Sequence, residues 1–235
     1  MKKRYNFNYS PKTKPFPHQV EAIEYITSKI SVPLFDEQGL GKTKIVIEAL
    51  CNNMEQGIID GALIICKKHL IENWKDEIET HSHLKYIVLR GNANEKGLKF
   101  MGYSHFYIIN YESVIGEVER LKMFLKIRKM AIVLDESHKI KNPNAKITRA
   151  TLDLKDLATK RIIITGTPIA NKPLDLWTQF YFLDNGNLLG DDYKKFEKTY
   201  SINLKGDNLP EQEARFNNLR EIILSNSIRR LKKDV

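Results

Sequence analysis

Cysteine is nearly absent: Cys51 and Cys66 are the only two in 235 residues, far apart and without Cys-x-x-Cys spacing. A disulfide framework and a cysteine-based zinc site are thereby excluded, and two buried thiols in a reducing compartment are expected. No apolar run comes near the ~20 residues that cross a bilayer, so no membrane partner is expected. The basic opening Met1-Lys2-Lys3-Arg4-Tyr5-Asn6 is not followed by the apolar segment of a signal peptide. A soluble, cytoplasmic protein is the expectation, and the abundance of Lys, Asn and Ile points to an AT-rich bacterial or phage genome. Internal repeats and low-complexity tracts are also missing.

Acidic residues are absent from 1–15, which carry five basic ones, and this stretch is expected to be a flexible arm. Across the chain Lys+Arg 38 outnumber Asp+Glu 29, for a net +9, a balance that suits a polyanion such as nucleic acid. Hydrophobic residues make up 42%, enough for a substantial core. Short apolar runs recur at Val32–Phe35, Ala62–Cys66, Tyr86–Leu89, Phe106–Ile109, Ala131–Leu134 and Ile162–Ile164. Between most of them lie helical spacings: Val20, Ala22, Ile23 and Ile26; Ile45 to Leu50; Leu70, Ile71, Trp74 and Ile78; Val114 to Lys129; Ala145 to Leu157. Strands that are apolar throughout, alternating with helices, predict an α/β fold with an open, mainly parallel sheet flanked by helices. Residues 90–97 read as a polar loop. From Leu174 a helix leads to residue 183, and 184–235 reads as a mostly helical extension with a turn at Gly206-Asp207-Asn208-Leu209-Pro210 and no strand.

Such sheets bind ligands beyond the carboxyl ends of their strands, and three polar clusters follow strands. Asp36-Glu37-Gln38-Gly39-Leu40-Gly41-Lys42-Thr43 sits between a strand and a helix. Gly39 and Gly41 let backbone N–H groups approach phosphates, Lys42 reaches β- and γ-phosphates, and Thr43 offers a hydroxyl to Mg²⁺. Asp36 stands where the usual G-x-x-x-x-G-K-[ST] pattern has its first glycine. Asp135-Glu136-Ser137-His138 follows the next-to-last strand; there Asp135 would hold Mg²⁺ through water and Glu136 would deprotonate the attacking water. Thr165-Gly166-Thr167-Pro168 follows the last strand and is suited to couple nucleotide state to the rest of the molecule. Gln19, ahead of the glycine loop, has the amide that can read an adenine edge.

Together these clusters resemble the N-terminal lobe of the Swi/Snf-type branch of superfamily-two helicase-like proteins. Phe16-Pro17-His18-Gln19 is similar to the family's Q motif, and Asp36 to Thr43 to its motif I, whose first position is typically Asp. Asp135-Glu136-Ser137-His138 looks like a DEAH-type motif II, and Thr165 to Asn171 with Leu174 and Trp177 like motif III and its following helix. Ser227 to Val235 is similar to the entry into the second lobe. The resemblance implies a RecA-like P-loop NTPase lobe over 16–183 and an extension, 184–235, leading towards a second lobe absent from these residues. It also implies ATP and Mg²⁺, with Gln19, Glu37, Gly39, Leu40, Gly41, Lys42, Thr43 and Lys44 on the nucleotide, and double-stranded DNA as the partner. Lys68 and His69, in the stretch Cys66-Lys67-Lys68-His69 where the family has a Cys-Pro-x-Ser type sequence, and Asn110-Tyr111 are the residues it places on DNA.

Three readings stay open at this point: an ATP-hydrolysing DNA translocase lobe, weak without its second lobe; a nucleotide-gated DNA-binding module with the basic helix Lys122–Lys129 and Arg229-Arg230 on phosphates; and a strand-separating DNA or RNA helicase.

Overall fold

The computed structural model describes residues 9–166, 173–201 and 209–235. Thr167 to Asn171 and residues 206–208 of the expected turn lie outside the described residues, as does the start of the arm, 1–8, while Leu209 and Pro210, expected in that turn, already begin a helix. Six strands form one sheet: β1 (Ser31–Leu34), β2 (Gly61–Cys66), β3 (Tyr86–Val88), β4 (Phe106–Asn110), β5 (Met130–Asp135) and β6 (Lys160–Ile164). Their order is β1-β6-β5-β2-β4-β3, and every pairing is parallel. The expected α/β architecture is what the chain adopts.

Both faces of the sheet are covered, which is why its strands are apolar throughout rather than alternating. Ala62, Ile64, Val133, Ile162 and Leu34 pack with α1 (Pro17–Ser28), α2 (Lys42–Glu55) and α3 (Ile71–His81) in one core. Their neighbours along each strand, Leu63, Ile65, Leu134 and Ile163, point the other way. These meet α5 (Tyr111–Ile127), α6 (Lys146–Leu152) and α7 (Trp177–Asp184). Each fully buried Ile or Leu here contributes roughly 1.5–3 kcal/mol.

Four features depart from the sequence expectation. Residues 93–97, read as part of a loop, open a helix, α4 (Ala93–Met101). Its signal is a reciprocal cap: Asn92 Oδ1 accepts from the Glu95 N–H and Glu95 Oε2 from the Asn92 N–H, each at 3.0 Å. No residue of α4 is buried, so apolar periodicity could not reveal it. The helix expected over 145–157 stops at Leu152 and yields to a tighter turn at Lys155–Leu157.

Residues 9–15, expected as part of a flexible arm, are tied down: the Tyr9 N–H donates to Glu55, the Lys12 ammonium to the Glu79 carbonyl at 2.7 Å, and the Thr13 hydroxyl lies 2.6 Å from His81 Nδ1. The extension is not separate either. Phe196 of α8 (Tyr193–Tyr200) and Leu219 and Ile223 of α9 (Leu209–Ser225) join the α5–α7 core.

Beyond α9 the chain turns extended and lies along the free flank of β1, although from the sequence no strand is expected in this extension. The Ile228 N–H donates to the Pro33 carbonyl at 3.0 Å and the Phe35 N–H to the Ile228 carbonyl at 2.7 Å. Leu34, one residue on, faces β6 instead, its carbonyl accepting from the Thr165 N–H. Pro33 therefore has its missing donor on the outer side, where β6 does not need it.

Candidate functional site

The register fixes the site. Leu34, Ile164 and Asp135 sit side by side at the carboxyl ends of β1, β6 and β5. With neighbouring strands about 4.8 Å apart, the glycine loop after β1 and the acidic pair after β5 are separated by about 10 Å. Thr165-Gly166 lies between them: a Cβ built on Gly166 would stand 3.6 Å from both Lys42 Nζ and the Gln38 backbone nitrogen. The structure thus brings together three clusters spread along the sequence from Asp36 to Gly166.

Gly39 and Gly41 both have positive φ, 92° and 75°, and Gly41 caps α2. A Cβ at Gly41 would come within 2.4 Å of the Gln19 amide nitrogen and displace it, and the positive φ would strain any residue with a side chain there. The N–H groups of residues 42–44, in the first turn of α2, carry the positive end of its dipole. The Lys42 ammonium donates to the carbonyls of Asp36, at 2.8 Å, and Glu37, at 3.1 Å. Burial pulls its pKa below the usual lysine range, while Asp36, Glu136, Asp135 and Glu37 pull it back up. Those four carboxylates therefore lie within electrostatic reach of one ammonium.

Asp135 is held on three sides. Its Oδ2 accepts from the Trp74 indole N–H at 2.8 Å, its Oδ1 from the Glu136 N–H at 2.9 Å, and its carbonyl from the Tyr111 hydroxyl at 3.0 Å. Burial raises its pKa, partly offset by the Trp74 hydrogen bond. Burial also drives the Tyr111 phenol well above its usual range, and pushes the Cys66 thiol beside Asp135 up to about 12. Glu136 has a left-handed backbone, φ 51° and ψ 52°, a strained conformation for a residue with a side chain. The next residue pins it: the buried Ser137 hydroxyl donates to Gln179 Oε1 at 2.5 Å. Glu136 Oε2 lies 3.2 Å from His138 Nδ1.

Sequence reasoning read Trp74 as a core residue and missed Gln179 altogether. A tryptophan in an apolar helix stripe gives no sign that its N–H meets a carboxylate 61 residues away.

Two expected contacts need correction. Lys44 is buried and its ammonium is spent on Glu48 and on the Thr13 carbonyl, at 2.9 Å from the latter, so only its backbone N–H faces the loop. Tyr111 is fully buried beneath Asp135 and cannot reach DNA. Gln19 is buried as well: its Oε1 accepts from the Phe16 N–H at 3.0 Å and its Nε2 donates to the Leu40 carbonyl at 3.3 Å. It joins the start of α1 to the glycine loop, whose Leu40 is itself buried. Thr165 is buried at the end of β6, and Thr167 lies outside the described residues.

Asp36 is fully buried, and its carboxylate accepts from Arg230 three times: from the backbone N–H at 2.9 Å, from Nε at 3.1 Å and from a terminal guanidinium nitrogen. The same guanidinium donates to the His18 carbonyl. Glu37 also serves this strap, its N–H donating to the Arg230 carbonyl at 2.9 Å and its Oε2 accepting from the Lys232 N–H at 2.8 Å. Arg230, expected on DNA phosphates in one reading, is thus committed to the glycine loop.

Next to the acidic pair, at the ends of β2 and β4, opens a cleft of about 510 Å³ lined by Lys67, Lys68, His69, Asn110, Glu112 and Lys139. Lys68 and His69 are exposed, and Lys139 pairs with Glu112 at 3.1 Å. The basic helix Lys122–Lys129 lies elsewhere: it ends where β5 begins, at the opposite edge of the sheet, and Lys122 pairs with Glu119 and Asp153.

Among the described residues no group of three or more His, Cys, Asp or Glu is arranged to hold a metal, and no helix is long and apolar enough to cross a membrane. Thr43 and Asp135 nevertheless fit Mg²⁺, which takes one or two protein oxygens and completes its shell with water and phosphate. Each Asp135 oxygen accepts one hydrogen bond and keeps a lone pair free.

The family profile described as SNF2-related domain matches residues 18–235. An "uncharacterized ATP-dependent helicase" of Mycoplasma pneumoniae is 31% identical over 199 residues, covering 80% of this chain and 19% of that protein. The "ISWI chromatin-remodeling complex ATPase ISW1" of Saccharomyces cerevisiae is 29% identical over 231 residues, covering 93% and 20% respectively. The SWI2/SNF2 ATPase core of Sulfolobus solfataricus, solved in complex with dsDNA, superposes with a TM-score of 0.79 at 28% identity, covering 98% of this chain and 47% of that one. The chain spans about a fifth of the length of these two curated relatives. With a profile match over nearly its whole length and this fold, the chain belongs to the SNF2-related domain family, as the N-terminal, RecA-like lobe of a Swi/Snf-type superfamily-two ATPase.

Proposed function

We propose that this lobe binds ATP with Mg²⁺ between the glycine loop and Asp135-Glu136, and that with a second lobe it hydrolyses ATP to ADP and phosphate while moving along double-stranded DNA. The observation that carries the reading is the convergence of Lys42, the amino end of α2 and the Asp135-Glu136 pair at one sheet edge, with Gly166 between them. Backbone N–H groups and Lys42 would receive the phosphates, and Thr43 and Asp135 would hold Mg²⁺. When bound, the ion would neutralise charge on the phosphate oxygens. Glu136 would take a proton from the water that attacks the γ-phosphate, and its fixed backbone keeps that carboxylate in place. The basic cleft, through Lys68 and His69, would receive the DNA backbone, as befits a family whose Sulfolobus member was solved with dsDNA.

An arginine reaching across from a second lobe is worth about 10³–10⁵ in rate in P-loop NTPases. The purified 235-residue chain is therefore expected to bind ATP weakly and turn it over very slowly. Brisk DNA-stimulated phosphate release from this chain alone would overturn that part.

Lys42→Ala is expected to weaken ATP binding by about 10²-fold, because a charge-assisted hydrogen-bond partner of the phosphates is lost. Titration calorimetry against Mg-ATP checks it, and an affinity equal to the parent's would contradict the assigned role. The nucleotide-gated module without turnover is the weaker reading, since Glu136 is positioned as a base and both Arg230 and Lys122 are engaged within the chain. Comparing stimulation by double-stranded DNA, single-stranded DNA and RNA, with the second lobe supplied, separates translocase from strand-separating helicase.

A further inference from the structure

The basic cleft and the Glu136 carboxylate are joined by one imidazole. His138 Nδ1 lies 3.2 Å from Glu136 Oε2, and its Nε2 lies 3.0 Å from the ammonium of Lys67, a residue that also lines the cleft. An ammonium can only donate, so Nε2 must offer its lone pair; the ring is then neutral, carries its proton on Nδ1 and donates it to Glu136. A ring protonated on both nitrogens would turn an N–H against the ammonium. The chain of donors therefore runs in one direction, from Lys67 to His138 to Glu136; the carboxylate and the ammonium favour the same tautomer, and Lys67 is what keeps Nε2 free of a proton.

We propose that Lys67 is a positioning residue for Glu136, acting through His138, and that a DNA phosphate entering the cleft loosens this hold by competing for the Lys67 ammonium. The proposal rests on the reading of Glu136 as the base and of the cleft as the DNA site. Lys67 is suited to both tasks: it stands at the end of β2, half-buried, between the exposed Lys68 and His69 on one side and the acidic pair on the other. Burial and the Lys67 charge both hold the His138 pKa below the usual histidine range, which agrees with a neutral ring. Glu136, Lys139 and Lys141 are the other charges that act on it, and Glu136 alone pulls it upward.

The test is the ring nitrogen spectrum of His138 in the full 235-residue chain labelled with ¹⁵N-histidine, its signals among the six histidines assigned with His138→Gln. The expected result for the parent is a neutral ring protonated on Nδ1. Lys67→Met is expected to leave Nε2 free to take a proton, so that both ring nitrogens become protonated, and Lys67→Arg, which also only donates, to keep the neutral ring. A short DNA duplex is expected to shift the His138 ring signals in the parent and to leave them unmoved in Lys67→Met. A parent ring protonated on Nε2, or a Lys67→Met spectrum like the parent's, overturns the positioning role. A duplex that binds by fluorescence anisotropy yet leaves the parent ring untouched overturns the link to the cleft. If no duplex binds while the ring is as derived, the DNA reading of the cleft falls and the hold of Lys67 on Glu136 stands.

Discussion

Replacing Arg230 by alanine is expected to lower the free energy of unfolding by roughly 3 kcal/mol, read as a fall in the urea midpoint at constant slope. Asp36 is fully buried, and two of the three donors to its carboxylate belong to the Arg230 side chain. Removing one partner of a buried ion pair leaves the other charge without compensation, and this costs more than the intact pair ever contributes. The Arg230 backbone N–H survives the substitution and still serves Asp36, which places the loss at the lower end of the usual range. The double variant Asp36→Ala/Arg230→Ala is expected to cost clearly less than the two single changes added together, because no orphaned charge remains. A single-variant loss below about 1 kcal/mol, the scale of an exposed pair, would mean that water reaches Asp36 after all.

Glu136→Gln is expected to keep ATP affinity and to slow single-turnover hydrolysis about 10²–10⁴-fold, the usual worth of a general base. The amide is the same size as the carboxylate, and its oxygen still accepts from His138, so neither the strained backbone nor the ring loses its partner. Only the capacity to take a proton is gone. Calorimetry for binding and γ-phosphate release for the chemical step, the latter with the second lobe supplied, separate the two effects. Equal loss of binding and turnover would show that Glu136 serves the phosphates rather than the water. Lys42→Ala has the opposite signature, and the pair of variants distinguishes holding from cleaving.

The glycine loop and the acidic pair were legible because each follows an apolar run with a spacing that only a few sheet edges satisfy. Their meeting follows from the parallel sheet alone, which sends every strand's carboxyl end to one side. Trp74, Tyr111 and Gln179 were not legible as parts of the site, since each acts through a contact made only after folding: Trp74 and Tyr111 on Asp135, Gln179 on Ser137. Lys44 looked available for phosphate because it adjoins Lys42 and Thr43. One residue further along α2 turns a side chain by about 100°, and that rotation carries Lys44 into the packing against Glu48 and Thr13. The strand-like run at Ile228 escaped for another reason: its backbone partners are Pro33 and Phe35, nearly two hundred residues earlier, and Ile228 stands alone between Ser225-Asn226-Ser227 and Arg229-Arg230, without an apolar run around it.

That same run has a consequence for how the molecule behaves in company. An outermost strand of a parallel sheet ordinarily presents a row of unpaired amides and carbonyls to any passing chain, an invitation to stick. Here the chain covers its own margin: Ile228 takes the Pro33 carbonyl and the Phe35 amide, and the proline in that strand offers no amide to a stranger. Anything that peels the tail from the glycine loop also uncovers this seam and leaves an open sheet edge of the kind that other chains pair with.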